Sequence, residues 1–201
     1  MDKEHSMSRI SELTRKTNET DIKVKINLDG DNNEIKIDTG IPFFDHMLHA
    51  FAKHGRIGLN LQCKGDIDVD YHHSIEDVGI ALGECFCQAL GDKKGINRFA
   101  SAYTPLDESL TRCVIDISGR PYLHYDVSFT QPDDGNNVNP YLFEEFFRGF
   151  VMNAKITMHI DLIHGKNSHH ILESCFKSFA VAMREAIAVT GSDIPSTKGV
   201  L

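Results

Sequence analysis

The sequence predicts an α+β fold: a two-layer sandwich of sheet and helices built from an internal duplication. Three observations carry this. Strand-like alternation and helix-like periodicity follow one another in the same order in both halves of the chain. The pattern His-His-x-x-Glu occurs twice, at His72–Glu76 and at His169–Glu173, 97 positions apart, and each copy opens a helix. A Phe-rich helix precedes each copy, PFFDHML in one half and FEEFFRG in the other. At 201 residues the chain has enough surface to bury for one substantial core. It is read as a single domain over 1–201, with pseudo-repeats of about 9–95 and 96–201.

In chain order, TDIKVKINL (20–28) alternates through Ile22, Val24, Ile26 and Leu28. Residues 29–33, DGDNN, have turn chemistry, and EIKID (34–38) alternates again, so a hairpin is expected. PFFDHMLHAFAKHG is a helix, with Pro42 in its first turn and Gly55 as its expected cap. Residues 57–63 and 65–70 form a second strand pair or one interrupted strand. A helix follows within 71–91, with Ser74 as N-cap and Asp77 three residues on. In the second half, CVIDISGR and PYLHYDVSF are strands around Gly119-Arg120, and 131–139 is a polar loop. PYLFEEFFRGFVMNA is a helix, KITMHIDLI a strand and SHHILESCFKSFAVAMREAIAV the final helix. The tail SDIPSTKGVL is extended around Pro195.

Composition narrows the function classes. A net charge of −8 disfavours general nucleic-acid binding, so any basic site is local. The amino terminus has no apolar h-region and no stretch approaches a transmembrane length, so neither secretion nor a membrane partner is expected. Five cysteines without framework spacing fit a reducing cytoplasm. Histidine is the unusual count, at 11.

His-His-x-x-Glu sets three ligand-capable side chains within about one helical turn. Imidazole with carboxylate suits borderline divalent metals such as manganese, iron or zinc. Adjacent histidines diverge by about 100° on a helix, so one ion does not easily take both. Two motifs therefore predict two metal sites, each drawing on both halves or on two subunits. Chance surface pairing accounts for one copy far more readily than for two in register with a duplication. His46 lies on the preceding helix, and Glu145 falls at the corresponding place in the second half. His159 is a ligand by type, but equally a packed sheet histidine. Arg98, Arg120, Lys177 and Lys198 stand out in an acidic chain, and Ser-Thr-Lys-Gly offers hydroxyls, an amide and a cation suited to phosphate. A dinuclear hydrolase or a metal-storage shell would use similar ligands. The first would keep a metal-bound water as nucleophile, and the second would have no use for Lys198 or Arg98.

Five ordered motifs, TGIPFFDHMLHAFAKHG, HHSIEDVGIALGE, SGRPYL, GKNSHHILESCFK and PSTKG, together resemble the imidazoleglycerol-phosphate dehydratase family. The resemblance runs from about Arg9 to Leu201. It implies a duplicated βαββ-type unit, of the kind seen in ribosomal protein S5 domain 2. It implies a manganese-dependent dehydration of D-erythro-imidazoleglycerol phosphate to imidazole-acetol phosphate, with two Mn2+ per active site and the substrate ring held as an imidazolate. It also implies a 24-subunit shell with metal sites between subunits.

Carried over by position, the metal ligands are His46, His72, His73, Glu76, His169, His170 and Glu173. Glu145 stands where many relatives carry a ligand histidine. Glu19 matches an acidic substrate contact, and His54 a substrate-proximal histidine. Arg98, Arg120, Lys177, Ser196 and Lys198 match the phosphate side. Glu173 or Glu76 is the expected base, and Glu19 is expected to position the hydroxyl. Tyr71 departs from the family by standing where an Asp commonly precedes the His pair.

Overall fold

The computed structural model describes residues 9–30, 34–130 and 138–201. The first half comprises β1 (Ile10–Lys16), β2 (Thr20–Asn27), β3 (Ile35–Asp38), α1 (Pro42–Gly55), β4 (Gly58–Gly65) and α2 (His72–Leu90). The second repeats the run as β5 (Phe99–Leu106), β6 (Ser109–Asp116), β7 (Tyr122–Asp126), α3 (Phe143–Ala154), β8 (Thr157–His164) and α4 (Ser168–Ala186). Each half makes one four-stranded sheet, ordered β1-β2-β4-β3 and β5-β6-β8-β7. The duplicated α+β architecture is therefore present in both halves.

The expected hairpin between 20–28 and 34–38 does not form. β2 pairs antiparallel with β1 and with β4, while β3 lies on the far side of β4 and pairs with it in parallel. A parallel pair needs a crossover, and α1 supplies it between β3 and β4; α3 does the same between β7 and β8. Residues 31–33 and 131–137, within the expected turn and polar loop, lie outside the described residues. β1 and β5 were not expected. Both are edge strands whose side chains are largely exposed, so neither carries the apolar alternation of a half-buried strand. Residues 66–70 form turns rather than a strand.

The helices of the two halves face one another, α1 against α4 and α2 against α3, while α1 and α2 pack on the first sheet and α3 and α4 on the second. The Phe-rich helices fill this centre: Phe51 stacks on Phe179 at 4.6 Å, and Phe146 on Phe176 at 5.2 Å. α2 and α3 approach closely because Gly79 and Gly83, one turn apart, carry no Cβ. A side chain at either would strike the carbonyl of Phe146 or Phe150. Two expected caps are corrected. Arg56, not Gly55, takes the left-handed C-cap of α1 (φ 53°), and Lys155 does so after α3 (φ 56°). Ser74 is not an N-cap, because α2 starts two residues earlier; Asp70 Oδ1 accepts from the His72 N–H at 2.7 Å. Asp70 thus takes an acidic helix-start position despite Tyr71. Asp77 instead accepts from Thr20 Oγ1 at 2.5 Å and pairs with Arg15 at 2.8 Å.

Candidate metal centre and phosphate-side cluster

Packing of α1 on α4 brings His46 to the second His-His-x-x-Glu motif. His46 Nε2 lies 3.1 Å and His169 Nε2 3.0 Å from the same oxygen of Glu173. Phe43 braces His169 edge-on at 5.2 Å. The ligand atoms of His46, His169 and Glu173 all lie within 4.8 Å of one another, a spacing a divalent ion can close. Lys177, one turn on, holds the other Glu173 oxygen at 2.7 Å. Burial raises the Glu173 pKa, but the bonds from Lys177, His46 and His169 outweigh it and bring it down to about 2. The carboxylate is ionised at neutral pH. Lys177 therefore lies at the metal side of the fold.

The first-half motif is looser. His72 Nε2 stands 3.5 Å from Glu76, and Glu145 is paired with Arg148 at 3.5 Å. His73 Nδ1 lies 3.0 Å from Asp66, and its Nε2 lies 3.7 Å from the exposed Glu19. Asp66, and to a lesser degree Glu19, raise the His73 pKa. His170 Nδ1 lies 2.7 Å from Glu108, whose own pKa is held well below the carboxylate range by the Asn167 N–H and by His170. Reading the sequence alone passed over Asp66 and Glu108. Glu108 immediately precedes β6 as Glu19 immediately precedes β2, a correspondence visible only once the structure starts β6 at Ser109. The pKa of His54 is lowered by partial burial and by the nearby Lys177 charge.

His159 stands elsewhere, on β8 beside His124 of β7 at 5.3 Å. His124, Asp126 and Asp161 also come within 4.8 Å of one another, but Arg112 bonds Asp161 at 3.1 Å, so this reads as a sheet-surface ion-pair network.

The other residues expected on the phosphate side, Arg98, Arg120, Ser196 and Lys198, gather at the opposite end of α4. Arg98 donates to Asp116 at 2.7 and 3.2 Å and to the Pro195 carbonyl at 2.9 Å. Exposed Arg120 lies 3.5 Å from the same Asp116. Ser196 Oγ accepts from the Lys198 N–H at 3.2 Å, folding the tail into a turn that leaves the Lys198 ammonium in solvent. The Arg98 backbone N–H bonds Ala186, the last residue of α4. Glu173 lies thirteen positions earlier on that helix, so the two clusters are separated by about 20 Å along its axis.

The family model for imidazoleglycerol-phosphate dehydratase matches residues 39–183. The chain is 50% identical over 194 residues to imidazoleglycerol-phosphate dehydratase of Caldicellulosiruptor saccharolyticus, covering 96% of this chain and 99% of that one. It is 53% identical to that of Prochlorococcus marinus (strain MIT 9301), covering 98% of each. The fold matches the Staphylococcus aureus dehydratase crystal structure with a TM-score of 0.78 and 39% identity, over 91% of this chain and 99% of that one. It matches the Pyrococcus furiosus enzyme in complex with (S)-C348 with a TM-score of 0.77 and 37% identity, over 94% of this chain and 100% of that one. On these matches the chain belongs to the imidazoleglycerol-phosphate dehydratase family, hydro-lyases of histidine biosynthesis.

Proposed function

We propose that this chain converts D-erythro-imidazoleglycerol phosphate to imidazole-acetol phosphate with manganese as its metal, two ions per active site. The observation that carries the metal reading is the convergence of His46, His169 and Glu173 within 4.8 Å. Two imidazole nitrogens and an ionised carboxylate fit manganese, which accepts nitrogen and oxygen donors. His72, His73, Glu76, His170 and Glu145 complete the proposed ligand sets. Bound manganese would supply Lewis acidity that steadies negative charge on the substrate ring.

The reaction removes the hydroxyl on the ring-bearing carbon as water and a proton from the neighbouring carbon, leaving an enol that becomes the ketone. Glu173 has His46, His169 and Lys177 on its two oxygens, whereas the partner of Glu76 among the described residues is His72 at 3.5 Å and Glu19 is exposed. Among the carboxylates expected at the chemistry, Glu76 therefore suits the carbon proton and Glu19 the departing hydroxyl. Arg98, Arg120, Ser196 and Lys198 take the phosphate.

A three-carbon chain spans under about 10 Å between ring and phosphate, less than the separation along α4. A complete site therefore takes its ring end and its phosphate end from different subunits, which supports a homo-oligomer; a 24-subunit shell is our proposal for it. Five cysteines without a disulfide support a cytoplasmic setting. The test is ultraviolet detection of the enol of imidazole-acetol phosphate, with chelated and with manganese-restored protein. Release of inorganic phosphate in place of that enol would identify a hydrolase and overturn the proposal.

A further inference from the structure

Both His-His-x-x-Glu motifs divide their two imidazoles in the same way. The first histidine turns Nε2 toward the glutamate of its own motif, His72 to Glu76 at 3.5 Å and His169 to Glu173 at 3.0 Å. The second is gripped at Nδ1 by a carboxylate from outside the motif. Asp66, just after β4, holds His73 Nδ1 at 3.0 and 3.3 Å. Glu108, in the β5–β6 turn, holds His170 Nδ1 at 2.7 Å.

The holders are themselves fixed. Glu108 Oε1 accepts from the backbone N–H groups of Lys166 at 3.1 Å and Asn167 at 2.8 Å, and from Ser109 Oγ at 3.2 Å. The Asp66 N–H donates to the Glu19 carbonyl at 3.1 Å, and its own carbonyl accepts from Val69 at 2.9 Å. The duplication does not account for the match. The counterpart of Glu108 in the first half is Glu19, each residue immediately preceding the second strand of its sheet, yet His73 Nδ1 is held by Asp66. Two unrelated loops deliver a carboxylate to the same ring atom. Glu19 is thereby left beside His73 Nε2, at 3.7 Å.

We infer that Asp66 and Glu108 are positioning residues that hold His73 and His170 with Nδ1–H toward the carboxylate, leaving Nε2 as the metal-binding nitrogen. The inference rests on the metal reading above. A carboxylate accepting from Nδ1–H selects that tautomer, fixes the ring plane and makes Nε2 the better donor.

The experiment titrates Mn2+ into metal-free full-length protein by calorimetry, for wild type, Asp66→Asn, Asp66→Ala, Glu108→Gln and Glu108→Ala. The expected result is graded. The amide variants, whose oxygen still accepts from Nδ1–H without the charge, bind about 10-fold more weakly, and the alanine variants up to about 100-fold. Loss of loop anchoring alone would lower the melting temperature of metal-free protein and leave the Mn2+ affinity of folded protein unchanged. Wild-type affinity in the variants that fold would overturn the inference, and the near-isosteric amide variants decide the matter where an alanine variant does not fold. Absence of Mn2+ binding to wild type is a distinct result, and it would overturn the metal reading itself.

Discussion

His46 Nε2 meets Glu173 Oε2 at 3.1 Å across 127 positions of sequence. The contact exists because α1 packs on α4, and that packing rests on aromatic side chains such as Phe51 and Phe179. The core that joins the two halves therefore also assembles the ligand cluster. If the cluster holds a metal as proposed, its affinity and the inter-helix packing are expected to be coupled for that reason.

Exhaustive chelation is expected to abolish turnover, and manganese to restore it, because the converging groups are imidazoles and carboxylates. Turnover is followed by enol absorbance and metal content by elemental analysis. Full activity in protein shown to be metal-free would contradict the metal reading.

Mixing two impaired proteins tests the proposed division of the site between subunits. Glu173→Gln is expected to damage the proposed ring end, and Lys198→Ala to remove a proposed charge-assisted phosphate contact worth about 1.5–3 kcal/mol. Separately, Lys198→Ala should raise KM without changing metal content. Dissociated and reassembled together in equal amounts, they should recover about a quarter of wild-type kcat/KM through sites that draw intact ends from different chains. No recovery in verified mixed assemblies would place both ends of the site in one subunit.

Glu145 and His159 should separate cleanly. Glu145 lies ten positions before the left-handed cap Lys155 of α3, as His46 lies ten before the cap Arg56 of α1, whereas His159 of β8 lies against His124 of β7. Metal per subunit after dialysis should fall in Glu145→Ala, be largely kept in Glu145→His and be unchanged in His159→Gln. The reverse pattern would mean that the halves correspond differently at these helices.

Gly79→Ala should destabilise by about 1–3 kcal/mol through overpacking, since the added Cβ meets the backbone carbonyl of Phe146, which cannot rotate away. Thermal unfolding of metal-free protein reads this effect. An unchanged melting temperature would show that α2 and α3 can separate without cost.

Much was determined by the sequence alone. The duplicated His-His-x-x-Glu, the Phe-rich helices and the alternation of β2 and β4 are local patterns, and local periodicity sets which elements form and which face is buried. The residue types proposed as metal ligands were legible for the same reason: the motif lies within one helical turn. The tertiary structure decided what depends on pairing. β3 sits beyond β4 because parallel pairing through α1 is a long-range choice that 29–33, with their turn chemistry, do not reveal. β1 and β5 escaped notice because an edge strand exposes much of its surface and loses the apolar period. Asp66 and Glu108 look like ordinary loop acids until the fold carries them to His73 and His170, because a hydrogen bond depends on distance in space and not on spacing along the chain. The separation of the proposed phosphate and metal clusters along α4 was likewise hidden: sequence names the groups, and only packing fixes how far apart they stand.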